Sequence, residues 1–260
     1  MGVFHKLTKS IIPQKYKSPT IRLFQKVFHK GLVKVSGGEE EALNWAHAQA
    51  KLTTFNLMQG FLLGTFPMPE ISDNKIFVWL DPYPRGIIPV DNFKIRNDLK
   101  RCLKKNSTLE PHERFEVKLN TNFEQTVLNC AKPRNEKKNT WLTPEYRKVL
   151  LELHELGITH SVETYQNGKL VGGVLGVAIN GYFITLSLFR FVDNASKVAF
   201  AYLLNKLKED GYKLHFSGAA DAWFTQFGAI NVSKEEFRTE FIPAITAPVT
   251  FSTNIPELTI

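Results

Sequence analysis

Cysteine is nearly absent from this chain. Its 260 residues hold two, Cys102 and Cys130, and neither stands in a C-x-x-C pair or beside a histidine cluster. The spacing therefore offers no metal site, and both read as small buried hydrophobes in a reducing compartment. Long apolar runs are missing too. None approaches the roughly 18 residues that a membrane span needs. Lys6 and Lys9 are followed by neither an apolar stretch nor a small-residue cleavage site, so no signal peptide is read and the cytoplasm is the expected location. Acid is missing from one region alone: no Asp or Glu precedes Glu39, while Lys6, Lys9, Lys15, Lys17, Arg22, Lys26, Lys30 and Lys34 all fall there.

What is present suits a packed globular protein. Hydrophobic residues make up 43% and charged residues 22%, enough apolar surface for a real core. Twenty Phe and four Trp argue against disorder over most of the length. The net charge of +8 favours a polyanionic partner, and nucleic acid or an anionic membrane surface both fit it.

The basic start, residues 1–38, reads as an arm. Ile21, Phe24, Val27 and Phe28 recur at helical spacing, so Ser18 to Gly31 is a candidate amphipathic helix. Such a helix either docks with its lysines in water or touches phosphates. Ser36-Gly37-Gly38 is a linker, and residues 39–139 read as an N-terminal domain. In that domain Glu39 to Leu63 is helical, Phe77 to Leu80 a strand, Ile95 to Lys105 a basic helix, Phe115 to Leu119 a strand and Phe123 to Ala131 a helix. The exposed basic stretch Lys132 to Lys138 follows.

Residues 140–260 read as a second domain with a sharper pattern. Thr143 can cap a helix whose first turn carries Pro144 and Glu145, and Gly157 ends it. His160 to Tyr165, Lys169 to Ile179 and Tyr182 to Arg190 are strands. Asn167-Gly168 and Asn180-Gly181 separate them, and Asn-Gly favours a hairpin turn in which both central residues take positive φ. A long helix, Ala195 to Asp210, then a strand, Lys213 to Ser217, and a short helix near Asp221 to Phe227 complete the pattern. Strands, helix, strand and helix in this order predict an α/β (α+β) fold: a GNAT-like acyltransferase sheet with flanking helices and a smaller N-terminal α/β region.

Particular residues carry a family resemblance. Gly64-Thr65-Phe66-Pro67-Met68 is similar to the Gly-x-Phe-Pro-Met/Trp segment of the leucyl/phenylalanyl-tRNA–protein transferases, and Trp79 to Arg85 to their Trp-Ser-Pro-Asp-Pro-Arg. Thr140-Trp141-Leu142-Thr143 resembles Thr-Trp-Ile-Thr. Leu153 to Gly157 with His160-Ser161-Val162-Glu163 resembles Leu-His-Glu-Leu-Gly-x-x-His-Ser-Val/Ile-Glu. Leu170 to Gly173, Gly176-Val177, Asn194 to Lys197 and Gly228-Ala229 continue the match in order. The resemblance runs from about Phe66 to Phe241. It implies an enzyme that moves a Leu- or Phe-like amino acid from aminoacyl-tRNA to the N-terminal amine of a protein or peptide, as in N-end rule turnover, acting as a monomer without a cofactor.

By position, the resemblance makes Val174, Leu186, Phe200, Leu203, Leu207 and His215 the lining of an amino-acid slot, although a core-facing helix would show the same apolar residues. It makes Trp141 a stacking partner for the terminal adenine. Asn194, Ser196 and Lys197 would meet a phosphate at a helix N-terminus, unless Asn194 is simply an N-cap. Lys94, Arg96, Lys100, Arg101, Lys104 and Lys105 form a basic patch suited to a tRNA backbone, or an ordinary solvated face.

Three departures bear on the chemistry. Leu186 stands where the family has a Glu that holds a basic acceptor residue. Phe216 and Gly218 stand where it has the Asp and Gln that activate and orient the incoming amine, and the first 60 or so residues do not resemble the family's. An aminoacyl ester is already activated, so alignment of the two reactants alone supplies about 7–11 kcal/mol in the best cases. General-base help adds roughly 10²–10⁴-fold. Losing the pair weakens transfer without forbidding it. Ser187 and Asp221 are the nearest polar substitutes. Two other readings stay open: an inactive descendant that binds tRNA or substrate proteins, and a CoA-dependent acyltransferase, against which the glycine-poor Arg190 to Lys197 segment argues.

Overall fold

The computed structural model describes residues 52–69, 77–80, 82–133 and 140–258. The basic arm, the Ser18 to Gly31 helix and most of Lys132 to Lys138 lie outside the described residues. In chain order the elements are α1 (Thr54–Leu62), β1 (Phe66–Pro69), β2 (Phe77–Leu80), β3 (Arg85–Ile88), α2 (Asn97–Thr108), β4 (Phe115–Leu119), α3 (Phe123–Cys130), α4 (Pro144–Glu155), β5 (Thr159–Gln166), β6 (Lys169–Ile179), β7 (Tyr182–Arg190), α5 (Ala195–Glu209), β8 (Leu214–Gly218), α6 (Ala222–Thr225), β9 (Ile230–Val232) and α7 (Lys234–Thr246). They divide into two units, one built from residues up to Pro82 together with Ala131–Gly157, the other from Tyr83–Cys130 and Ile158 onward. The boundary read at 139/140 therefore falls inside the first unit. β3, α2, β4 and α3 come early in the chain, yet they belong to the same unit as the later strands.

In the first unit, α1 opens on a reciprocal cap: Thr53 Oγ1 accepts from Asn56 N at 3.2 Å, and Asn56 Oδ1 accepts from Thr53 N at 2.8 Å. Gly60 has no side chain because a Cβ would overlap the Trp79 ring, which is why Trp79 is core. β1 and β2 pair antiparallel. α4 starts as its sequence predicts, with Thr143 Oγ1 accepting from Tyr146 N at 3.3 Å, and Gly157 follows its end at φ +71°.

The second unit is a seven-stranded sheet ordered β4-β5-β6-β7-β8-β3-β9. Every pair is antiparallel except β7 and β8, which run parallel after the crossover through α5. α5 covers one face. Its Val198, Phe200, Leu203 and Leu207 pack with Val162, Val174 and Phe183 of the strands. Alternation along the strands sends Glu163, Leu175, Tyr182 and Phe216 to the other face, where α3 and α7 lie. The result is a mixed α/β fold, with the three hairpin-linked strands, the long helix and the following strand that the sequence implies; the parallel pairing of β7 and β8 is seen only in the structure.

The two Asn-Gly turns differ. Asn167 and Gly168 both take positive φ, at 50° and 68°, but only Asn180 does so in the second turn, at 52°. Tertiary bonds hold Gly181 instead: its N–H donates to Ala244 O at 3.0 Å, and its carbonyl accepts from Lys213 N at 2.8 Å. Four elements go beyond the sequence reading, namely β1, β3, β9 and α7. α7 had a local signal: Ser233 and Glu236 form a capping box just before Phe237. No helix among the described residues is long and apolar enough to cross a membrane.

Candidate functional site

β7 and β8 pair only from Tyr182↔Leu214 to Ile184↔Phe216. Beyond that point β7 continues to Arg190 bonded to β6, and β8 continues to Gly218 bonded to β3. The two strands form a fork, a natural place for a ligand beside the carboxyl ends of parallel strands. Each prong carries an irregularity. Leu175↔Ser187 and Gly176↔Thr185 leave Leu186 unmatched on β6, while Gly86↔Gly218 and Ile87↔Phe216 leave Ser217 unmatched on β3. Bulges of this kind re-aim side chains next to functional sites.

The bulge at Ser217 breaks the simple alternation of side chains along β8. Phe216 faces α7, 3% exposed, with its ring 5.4 Å from Phe237 at 65°. Gly218 leaves the strand at φ +85°, and a Cβ built on it would meet nothing within 4 Å. Ser217 Oγ donates to Gly86 O at 3.2 Å. Gly86 is held to glycine by the Ala219–Ala220 backbone, which a Cβ there would strike. The two positions that the resemblance made catalytic thus hold one packed ring and one open space.

At the base of the fork, His215 is fully buried. Its Nε2 and the Thr185 hydroxyl are 2.8 Å apart, and burial holds the imidazole neutral by pushing its pKa down to about 3. The other slot residues join it: Val174, Phe200, Leu203 and Leu207 are each at most 1% exposed. They form packed core rather than an open pocket, since the α5 residues interdigitate with the strands. Leu186 stands apart from them, half-buried on its bulge.

The remaining expected site residues scatter, for local reasons. Asp221 caps α6, its Oδ1 accepting from Trp223 N at 2.9 Å and Phe224 N at 3.0 Å, so it is engaged as a helix cap. Ser187 lies across from Leu175, turned to the face away from His215. Asn194 is not a side-chain cap. It takes φ +65° and lies beside the Cys102 thiol, whose pKa burial pushes up and Asn194 draws partly back. Ser196 is buried because the start of α5 sits on Gly172, where a Cβ would come 2.6 Å from Ala195 Cβ. Asn194 and Lys197 both stay half-exposed. Trp141, in the first unit, is half-buried, its ring edge-on to Tyr146 at 5.0 Å.

Basic side chains do gather elsewhere in the second unit. An open cleft of about 620 Å³ beside the start of α2 is lined by Lys94, Arg96, Asp98, Arg101, Thr225 and Gln226. Asp98 is held below its ordinary pKa by the Leu99 amide, and further by Arg96 and Lys197. Two features were not foreseen. Thr185 could not be paired with His215 without knowing the parallel register. Glu163, quoted only as part of a motif, is a fully buried carboxylate. It accepts from Ser161 Oγ (2.7 Å), Tyr165 OH (2.7 Å) and Asn122 N (2.9 Å), which anchors the start of α3.

Comparisons with known proteins bear on the family. The family described as leucyl/phenylalanyl-tRNA protein transferase matches residues 87–241. The leucyl/phenylalanyl-tRNA–protein transferase of Chlorobaculum tepidum is 36% identical over 196 residues, covering 75% of this chain and 97% of that one. The protein of the same name from Paramagnetospirillum magneticum is 32% identical over 203 residues, 78% and 94% of the two chains. Among solved structures, that of L-PGS from Bacillus licheniformis aligns with 61% of this chain and 55% of its own, with a TM-score of 0.37 and 15% identity. The relatives extend over nearly their whole length, and the chain belongs to the leucyl/phenylalanyl-tRNA–protein transferase family.

Proposed function

We propose that this chain transfers an amino acid from aminoacyl-tRNA to the N-terminal amine of a protein or peptide, at the fork of β7 and β8, with an acceptor preference shifted away from basic N-termini. The carrying observation is the fork itself, where parallel pairing stops at Ile184↔Phe216 and the family's acceptor and amine positions fall on its prongs. The amino-acid side chain enters the slot of Val174, Phe200, Leu203, Leu207 and His215. The cleft with Lys94, Arg96 and Arg101 takes backbone phosphates, and Lys197 adds a charge near it. The acceptor amine lies in the open space at Gly218. Catalysis there rests on alignment of amine and ester rather than on a side-chain base. The enzyme works as a monomer in the cytoplasm, where its tRNA substrate is found.

The test is transfer of labelled amino acids from a charged tRNA pool to a peptide library, with the products read by mass spectrometry. Peptides beginning with a neutral residue are expected to react at least about tenfold faster than Arg- or Lys-initiated ones, since a hydrogen-bonded charge partner is worth roughly 1.5–3 kcal/mol. Leu186→Glu is expected to narrow that gap. Preferred use of Arg-initiated peptides by the unaltered protein would sink the acceptor assignment. The packed Phe216 and side-chain-free Gly218 also favour a second reading, a binding protein that transfers nothing. Tight binding of charged tRNA with no product from any peptide would select it.

A further inference from the structure

His215 is an odd residue to bury in a slot of apolar walls. Nε2 has the Thr185 hydroxyl, but Nδ1, on the other edge of the ring, is buried with no hydrogen-bond partner beyond its own residue's backbone. A leucine of similar volume would pack there without an unmade hydrogen bond. The ring is also held firmly. It lies 6.0 Å from Phe183 at 15°, Phe183 lies 5.8 Å from Phe251 at 23°, and Phe251 lies 4.2 Å from His160 at 19°. Phe200 of α5 closes the column edge-on, 5.4 Å from His215 at 80°. The strands, the helix and the segment after α7 thus fix one polar nitrogen among aromatic walls.

We propose that the Thr185–His215 pair selects the transferred amino acid, favouring an aromatic side chain that carries a hydroxyl, tyrosine, over phenylalanine and leucine. This rests on the reading of the fork as the aminoacyl site. Phe183 and Phe200 offer ring faces and edges to an aromatic guest. A phenol suits Nδ1 in either tautomer. Where Thr185 donates to Nε2, Nδ1–H donates to the phenol oxygen; where Nε2–H donates to Thr185, Nδ1 accepts the phenol proton. The slot is closed in this structure. A guest enters only if Leu188, half-buried and packed on the same core from the prong of β7, gives way. A site built to bond a hydroxyl discriminates against the analogue lacking it, because its own polar atom is then left unmatched.

The probes are the non-hydrolysable 3′-amides of adenosine carrying tyrosine, phenylalanine or leucine, titrated into the full chain by calorimetry. The tyrosyl amide is expected to bind about tenfold more tightly than the phenylalanyl amide, the worth of one neutral hydrogen bond. His215→Leu is expected to erase the preference by weakening the tyrosyl amide alone. Thr185→Val, which frees the ring, provides a second variant should His215→Leu fail to fold. Equal affinities in the unaltered protein, or a preference that survives in the folded variant, overturn the assignment and leave the transferase reading standing. Failure of all three amides to bind overturns the aminoacyl-site reading, and this inference with it. Transfer from charged tRNA, measured separately, reports on the chemistry rather than on the slot.

Discussion

At pH 5 the protein is expected to be about 2 kcal/mol less stable than at pH 7.5 on account of His215 alone. In the folded chain its pKa is depressed from 6.5 to about 3, because burial penalises the charged ring. Between those two values the unfolded chain binds a proton that the folded chain refuses. Stability therefore falls as pH drops below about 6.5, by roughly 1.4 kcal/mol per unit, until the folded pKa is reached. Denaturant titrations of the unaltered protein and of His215→Leu at the two pH values isolate this contribution, since other titrating groups act in both. The difference between the two pH slopes is the quantity expected near 2 kcal/mol. Parallel slopes would mean that the ring is solvated, and the closed slot would have to be abandoned.

Lys206→Met is expected to cost about 3–5 kcal/mol, because it leaves a carboxylate with its cation removed in a largely dry site. The Lys206 side chain is 1% exposed and its Asp210 partner 11%, with 2.9 Å between Nζ and Oδ2. Nζ also donates to Ser252 Oγ at 2.6 Å and Asn254 O at 2.8 Å, and lies 4.5 Å from the centre of the Phe251 ring. Burial pushes this ammonium below its ordinary pKa, and Asp210 draws it back up. The pair clasps the segment after α7 to α5, helped by Asn205 Nδ2 donating to Glu257 O at 3.0 Å and Ser252 N donating to Asp210 Oδ2 at 3.0 Å. Thermal denaturation of Lys206→Met beside Lys206→Met/Asp210→Asn separates two causes. If uncompensated charge dominates, the double variant recovers part of the loss. If it recovers nothing, the cost is lost packing of Phe251.

Much of the site's scaffold was legible in the sequence. The cap at Thr143, the strands Lys169–Ile179 and Tyr182–Arg190 and the helix from Ala195 all rest on chemistry among near neighbours, and the structure places them within a residue or so. The site itself was less legible. Alternation puts Phe216 and Gly218 on one face, and a single unmatched residue, Ser217, breaks that relation. Asn194 looks like a cap from its place before Ala195, yet it takes φ +65° and its side chain makes no cap bond. Asn180-Gly181 has the composition of the first turn, but Ala244 and Lys213 override its preferred geometry.

By itself the sequence determined most of the element order, the family and the replacement of its polar positions by Leu186, Phe216 and Gly218. Only the tertiary structure decided that β7 and β8 run side by side for three pairs and then part, that Thr185 meets His215 where they part, and that the slot is closed around a neutral ring. The reason is the range of the forces concerned. Caps, turns and hydrophobic periodicity are settled within a few residues. Register, bulges and the desolvation of one imidazole depend on strands that meet 30 residues apart at Thr185 and His215 and 131 apart at Gly86 and Ser217.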